Sequence, residues 1–293
     1  MNKKQVSHIL LLLTALLWGT GFIGSQYALD SGLSPSALCA ARFFIAAIIM
    51  SLAFIKLIGG FTKNELVHGG ILGVFLYLAQ LTQIEGQSLA TPGSCAFLTT
   101  LNVLFVPFLS WAMTKKRPMI KMFFLCLLSF VGAGILTYKP GGGFGFGVGE
   151  MLCVICALLY AAHIAYTGIA VEKGDPRRLT MMQMLSAAVL GIAYTLIFDR
   201  SGFVGVNISL AVPSILYIAA VPTSLCFFMQ TYAQQHADSS TSAVLLSLEG
   251  LFGSLFSVIL GMEPLTAMLI AGGMIIIGSA ILAQIEPKNK IPA

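Results

Sequence analysis

The sequence predicts an all-α integral membrane protein of ten transmembrane helices, arranged as two five-helix halves in a 5+5 inverted repeat. Three observations carry that prediction: apolar runs of bilayer length, basic loop residues gathered on one side, and one pattern written twice along the chain. Hydrophobic residues make up 57% of the 293 positions and charged residues 9%, whereas a soluble domain carries about 25% charged residues. The mean hydropathy is +0.92. A chain of this size has no interior large enough to hide so much apolar surface from water, but a bilayer accepts it on the outside. The net charge of +5 is then a property of loops and gives no sign of a nucleic-acid partner.

Runs near the ~20 residues that a bilayer demands fall at about 9–29, 36–57, 67–87, 92–113, 122–138, 148–171, 179–198, 210–234, 239–261 and 264–285. The first follows Asn2-Lys3-Lys4 and continues to about Leu29 without a small-x-small cleavage pattern, so it reads as an uncleaved span. Ser34-Pro35, Thr91-Pro92, Arg117-Pro118, Pro140-Gly141-Gly142-Gly143, Asp175-Pro176 and Glu263-Pro264 punctuate the breaks. Ten spans place both termini on one side. With the N-terminus inside, the inner loops hold Lys3, Lys4, Lys56, Lys63, Lys115, Lys116, Arg117, Lys121, Lys173, Arg177, Arg178, Lys288 and Lys290, and the outer loops hold Lys139 and Arg200. Thirteen against two is a strong positive-inside bias. The expected location is the bacterial cytoplasmic membrane, with both termini cytoplasmic.

Residues 1–140 and 141–293 form the two expected halves. Ala15-Leu16-Leu17-Trp18 aligns with Ala157-Leu158-Leu159-Tyr160 at an offset of 142, and Pro35, Arg42 and Ala46-Ala47 meet Pro176, Gln183 and Ala187-Ala188 at 141. Gln83, Gln87, Ala90, Ala96, Leu98 and Leu101 meet Gln230, Gln234, Ala237, Ala243, Leu245 and Leu248 at 147, and Gly132 and Ile135-Leu136 meet Gly278 and Ile281-Leu282 at 146. An odd number of spans per copy turns the second copy upside down, the arrangement in which secondary transporters place a substrate site between halves near the midplane.

The chain resembles an EamA-type member of the drug/metabolite transporter superfamily over nearly all its length, and within it the YddG-like exporters of amino acids and metabolites. The motifs that carry the likeness are Leu17-Trp18-Gly19-Thr20-Gly21-Phe22, Pro107, Leu248-Glu249 and Gly261-Met262-Glu263-Pro264-Leu265. Gly250 stands where the family usually has a proline, and Arg117 where a glutamate is common. The resemblance implies helices 1–4 and 6–9 around a central cavity, with helices 5 and 10 peripheral, and members that mostly export amino acids and related metabolites.

Ionisable groups at the centre of a span cost about 2.5–3.5 kcal/mol on insertion scales and therefore face a cavity or a partner. Glu249 lies ten residues into its span, about 15 Å along a helix, with Asn102 as its repeat counterpart. Both are candidate substrate-binding residues; a protonated packing role for Glu249 is the alternative. His163 at mid-depth suits proton exchange or a helix–helix hydrogen bond, so Glu249 and His163 are the candidates for proton coupling. Arg42 suits a carboxylate contact or a snorkelling anchor. Tyr77, Gln80, Gln83 and Gln87 share one side of the third span; Cys95, Thr99 and Asn102 do so on the fourth, and Thr223, Gln230 and Gln234 on the eighth. These polar stripes fit a wet, uncharged lumen or amide-lined contacts between helices. Trp18, Tyr77 and Tyr160 lie away from the interfacial belts and frame either a site or a core. Pro107 and Pro222 are candidate hinges, and Gly69-x-x-x-Gly73 reads as close helix packing.

The cysteines all lie in apolar runs, and Cys153-x-x-Cys156 reads as packing rather than as a redox pair. No P-loop is present, the aspartates sit at span ends, and H-E-x-x-H and G-x-S-x-G are absent. The expected function is therefore a secondary transporter with no enzymatic activity, no cofactor and no metal. Its expected partners are a small-molecule substrate and the bilayer, and its expected state is a monomer or weak homodimer. A phosphate-bearing or lipid-linked metabolite carrier shares the fold but calls for more cavity cations than Arg42 and His163; an intramembrane enzyme and a channel are the remaining alternatives.

Overall fold

The computed structural model describes residues 2–90, 98–137, 147–260 and 265–284. The turns at Thr91-Pro92, Pro140–Gly143 and Glu263-Pro264, the Gly261–Pro264 motif residues, Cys95, Ala96, Lys139, Lys288 and Lys290 lie outside them. The described residues are helical: α1 (Lys3–Asp30), α2 (Pro35–Ala53), α3 (Lys63–Leu89), α4 (Asn102–Thr114), α5 (Ile120–Thr137), α6 (Val148–Ala170), α7 (Pro176–Phe198), α8 (Ile208–Ala233), α9 (Ser239–Leu246), α10 (Leu248–Ile259) and α11 (Ala267–Gln284). Helix starts follow the expected punctuation. Ser34 and Asp175 cap α2 and α7, each with proline in the first turn, and Thr62 forms a capping box with Glu65 at α3.

Six of these helices (α1, α2, α3, α6, α7 and α8) are long and apolar enough to cross a bilayer, while α4, α5 and α11 are shorter apolar helices. Two expected spans differ from simple helices. The ninth is divided at Ser247, whose hydroxyl donates back to the Val244 carbonyl at 2.7 Å and so competes with the helical ladder. The eighth widens into a π-helix over Ala219–Leu225 around Pro222. Proline has no N–H to give that turn, and the hydroxyls of Thr223 and Ser224 donate to the carbonyls of Ile218 and Ala219 at 2.7 and 2.8 Å.

Contacts between the halves recur when the halves exchange roles. The packing of α3 on α6 and α7 has its counterpart in α8 on α1 and α2, and α4 on α6 has its counterpart in α10 on α1. The pairs α2–α7 and α5–α11 map onto themselves. Close approach depends on small residues: a Cβ on Gly132 of α5 would lie 3.0 Å from the Gly272 carbonyl of α11. Cys153 and Cys156 are buried in this packing, with Cys153 against Gly86 of α3.

The α2 and α7 ends are tied outside the apolar segments. The Asp199 carboxylate accepts from the Ser34 and Ser36 hydroxyls, the latter at 2.6 Å, and these bonds hold its pKa below the ordinary aspartate value of 3.8. Because the folded value is the lower one, this tie stabilises the fold above the ordinary value and is lost as pH falls through the depressed one. Ser36→Ala is expected to lower the melting temperature at pH 7 and to lose that effect progressively below about pH 4. An equal deficit at both ends of the pH range would show that the tie contributes nothing.

Candidate functional site

Both halves contribute to one cavity of ≈ 820 Å³, counting its open mouth. Helix α1 supplies Trp18, Gly21, Phe22 and Ser25, α2 supplies Arg42, and α3 supplies Gln80, Gln83 and Gln87. Tyr160 and Ile164 come from α6, and Pro222 and Phe227 from α8. The rest of the wall is built where helices break. Thr99, Thr100 and Asn102 lie at the turn before α4, and Leu246, Ser247, Glu249 and Gly250 lie at the α9–α10 junction. Thr100 and Ser247 are 147 residues apart, the same offset that aligns Asn102 with Glu249, so the two breaks occupy equivalent places in the halves.

The wall is rigidly wired on one side. Tyr160 OH donates to Gln80 Oε1 at 2.5 Å, and Gln80 Nε2 donates to Gln83 Oε1 at 2.9 Å. Trp18 Nε1 donates to the Pro222 carbonyl at 2.8 Å, and Gly21 leaves room for Pro222, since a Cβ there would meet its ring at 3.2 Å. Arg42 is 4% exposed and does not snorkel. The π-helical turn of α8 packs over α2, and Arg42 Nε donates to Thr223 Oγ1 at 2.5 Å. Among the described residues no carboxylate lies within ion-pair distance of Arg42, and Glu249 has neither a hydrogen-bond nor an ion-pair partner. The cavity therefore presents the guanidinium of Arg42 and the carboxyl group of Glu249 on one wall, without an ion pair between them.

Five of the expected binding residues, Trp18, Gln80, Asn102, Tyr160 and Glu249, are brought together with Arg42 and the candidate hinge Pro222. Tyr77 and His163 are not on this wall. Tyr77 is buried in the packing of α2, α3 and α7, with its ring 6.5 Å from Phe43 and 6.4 Å from Tyr194. His163 stands behind Phe227, ring to ring at 5.6 Å, and shares a 3.0 Å hydrogen bond with Gln183 Oε1. Pro107 is buried within α4, away from the cavity. The two glutamine stripes have different fates. Gln80, Gln83 and Gln87 line the cavity, whereas Gln230 donates to Gln234 and Gln234 donates to the Ile164 carbonyl at 2.9 Å. Ser25, Thr100 and Ser247 were not singled out by sequence. Ser25 continues the Trp18, Gly21–Phe22 face of α1 at helical spacing, a signal that was available; the helix breaks carry none.

Two halves that pack by reciprocal contacts and enclose a polar cavity among apolar helices define a multi-pass membrane protein built to hold a solute. The model of the EamA-like transporter family matches residues 5–138 and again residues 147–284, and the chain belongs to that family, in the drug/metabolite transporter superfamily. An uncharacterized transporter of Archaeoglobus fulgidus is 29% identical over 288 residues, covering 97% of this chain and 87% of that protein. A second from the same organism is 25% identical, with coverages of 96% and 98%. An uncharacterized transporter of Haemophilus influenzae is 26% identical over 145 residues, which make up 47% of this chain and 84% of that protein. A solved crystal structure superposes with a TM-score of 0.77 at 20% identity, over 94% of this chain and 96% of the other, a likeness of fold.

Proposed function

We propose that this transporter is a secondary carrier for small metabolites, amino acids or related compounds, and that it moves them out across the bacterial cytoplasmic membrane with both termini on the cytoplasmic side. Its architecture is the 5+5 inverted repeat of ten helices, halves 1–140 and 141–293, working by alternating access. The double family match and the reciprocal contacts between halves support that architecture. So does the Haemophilus influenzae relative, whose length is little more than one half of this chain.

The observation that carries the substrate reading is a guanidinium and a carboxyl group, Arg42 and Glu249, on one cavity wall without an ion pair between them. A buried charge without a partner is costly, and a solute with a carboxylate and an ammonium group satisfies both at once. The remaining wall offers amides and aromatic rings, which add hydrogen bonds without net charge. Among the described residues a phosphate-bearing solute finds one fixed cation on the lining, Arg42, short of the basic cluster that phosphate recognition uses.

Uptake of a panel of labelled amino acids and sugar phosphates into liposomes holding the purified protein, with and without a pH gradient, tests this reading. Amino acids are expected to move and sugar phosphates not to. Arg42→Gln is expected to raise KM for the transported amino acids by about 10- to 100-fold, the worth of one charge-assisted hydrogen bond of about 1.5–3 kcal/mol. Movement of the phosphates and of no amino acid would overturn it.

A further inference from the structure

The offsets that align the halves pair three polar residues of the cavity with three residues outside it. Arg42 corresponds to Gln183, Gln83 to Gln230 and Gln87 to Gln234. The first member of each pair lines the cavity; the second is packed away, with Gln183 and Gln230 at 0% exposure. His163, the counterpart of the cavity residue Gly21, lies in the same dry layer, bonded to Gln183.

The two series diverge in direction as well. Ser25 and Gln87 carry the cavity toward the ends of α1 and α3, whereas His163, Gln230 and Gln234 lie toward the ends of α6 and α8, their counterparts in the other half. In an inverted pair those ends face opposite sides of the membrane. Trp18 and Tyr160, which correspond to each other, stand between the series on the shared wall.

The dry layer is poorly made as permanent packing. Among the described residues, His163 Nδ1 and Gln230 Oε1 are buried without a hydrogen-bond partner, and Gln183 reaches Thr231 at only 3.4 Å. A polar atom buried without a partner is rare in finished protein interiors, but it is natural in a surface that water reaches in another conformation.

We infer that His163, Gln183, Gln230 and Gln234 line a second vestibule, closed in this conformation, that opens toward the opposite face when the two halves exchange conformations. The inference rests on the alternating-access reading and gives it residues. The two vestibules are not chemically alike. A carboxylate held by Arg42 on one side meets the amide of Gln183 on the other, so the second vestibule takes neutral or zwitterionic polar solutes and has no fixed arginine to retain an anion.

Single cysteines in a protein otherwise free of cysteine, reconstituted into vesicles and exposed to a membrane-impermeant maleimide from each side, test it without any substrate. Gln83→Cys is expected to label from one face. Gln230→Cys and Gln183→Cys are expected to label from the other face, at a rate about tenfold or more above their rate from the first, the rate scaling with the open fraction. Gln234→Cys reads the same layer if either variant fails to yield monodisperse protein. Hydroxyl-radical footprinting of the unmodified protein gives a reading free of substitution, in which oxidation of His163 is expected. Cysteines of the dry layer that stay inert from both faces while Gln83→Cys labels, together with an unoxidised His163, would overturn the second vestibule. Vesicles that show opposite-face labelling but move no amino acid of the panel would leave the vestibule standing and refute the substrate reading instead.

Discussion

Glu249→Gln is expected to reduce transport about 10- to 100-fold while the protein melts no lower than the parent. Both halves of that expectation follow from the same geometry. Glu249 is the second residue of α10 and faces the cavity without a partner among the described residues. Its carboxyl group therefore contributes nothing to packing, and an isosteric amide is neutral or favourable to the fold. The contact it offers to a substrate cation is worth about 1.5–3 kcal/mol, and each 1.4 kcal/mol is a factor of about ten. Transport kinetics in liposomes and a thermal melt of the same preparation check the two parts separately. A melt lowered in step with transport would mean that Glu249 is a structural residue and that the alternative given by its sequence position was correct. Unchanged transport would remove it from the site.

The double variant Arg42→Gln/Glu249→Gln sharpens the point. If the two charges act on opposite ends of one solute, each single variant leaves the other charge to hold the solute in a wrong pose, and the losses are not additive. Arg42 differs from Glu249 in one respect, because its Nε also holds Thr223 at the π-helical turn. Some loss of stability is expected for Arg42→Gln and none for Glu249→Gln.

Much of this site was readable before any coordinates. Hydrophobic length, positive loops and the repeat offsets placed Trp18, Asn102, Tyr160 and Glu249 at comparable depth, and depth is what a linear sequence reports well. Facing is reported less well. Periodicity put Tyr77, Gln80, Gln83 and Gln87 on one side of α3, but a helix covered by α2, α6 and α7 has more than one kind of neighbour on that side. Tyr77 consequently went to the α2–α7 core and the glutamines to the cavity. His163 and Gln230 show the same limit: whether a polar helix face meets water or another helix is decided by the partner, which local pattern does not contain. The breaks at Thr100 and Ser247 were silent for a different reason. A serine or threonine inside an apolar helix is ordinary, and nothing local marks it as an interruption; at Ser247 the hydroxyl bonds back to the Val244 carbonyl. The irregular turn around Pro222 was legible because proline removes a donor wherever it stands.

Gly73→Ala and Gly70→Ala, three residues apart on α3, are expected to act in opposite directions. A Cβ at position 73 would lie 2.5 Å from the Gln183 carbonyl and 2.6 Å from Ser186 Cβ, on α7. The nearer atom is backbone, so relief requires α7 itself to move, an overpacking cost of about 1–3 kcal/mol. Among the described residues a Cβ at position 70 meets nothing within 4 Å, and alanine there removes the conformational freedom of glycine, a gain of up to about 1 kcal/mol in a helix. The parent melting temperature should therefore lie between those of the two variants. Equal melts would show that the α3–α7 spacing is not set by glycine. Because the displaced carbonyl belongs to Gln183, the residue that bonds His163, the strain at position 73 is delivered to the dry layer. Gly73→Ala should accordingly raise maleimide labelling of Gln230→Cys in the same protein, and Gly70→Ala should not. A lowered melt with no change in labelling would place the strain in the α3–α7 packing alone and separate the stability of the helix pair from the opening of the second vestibule.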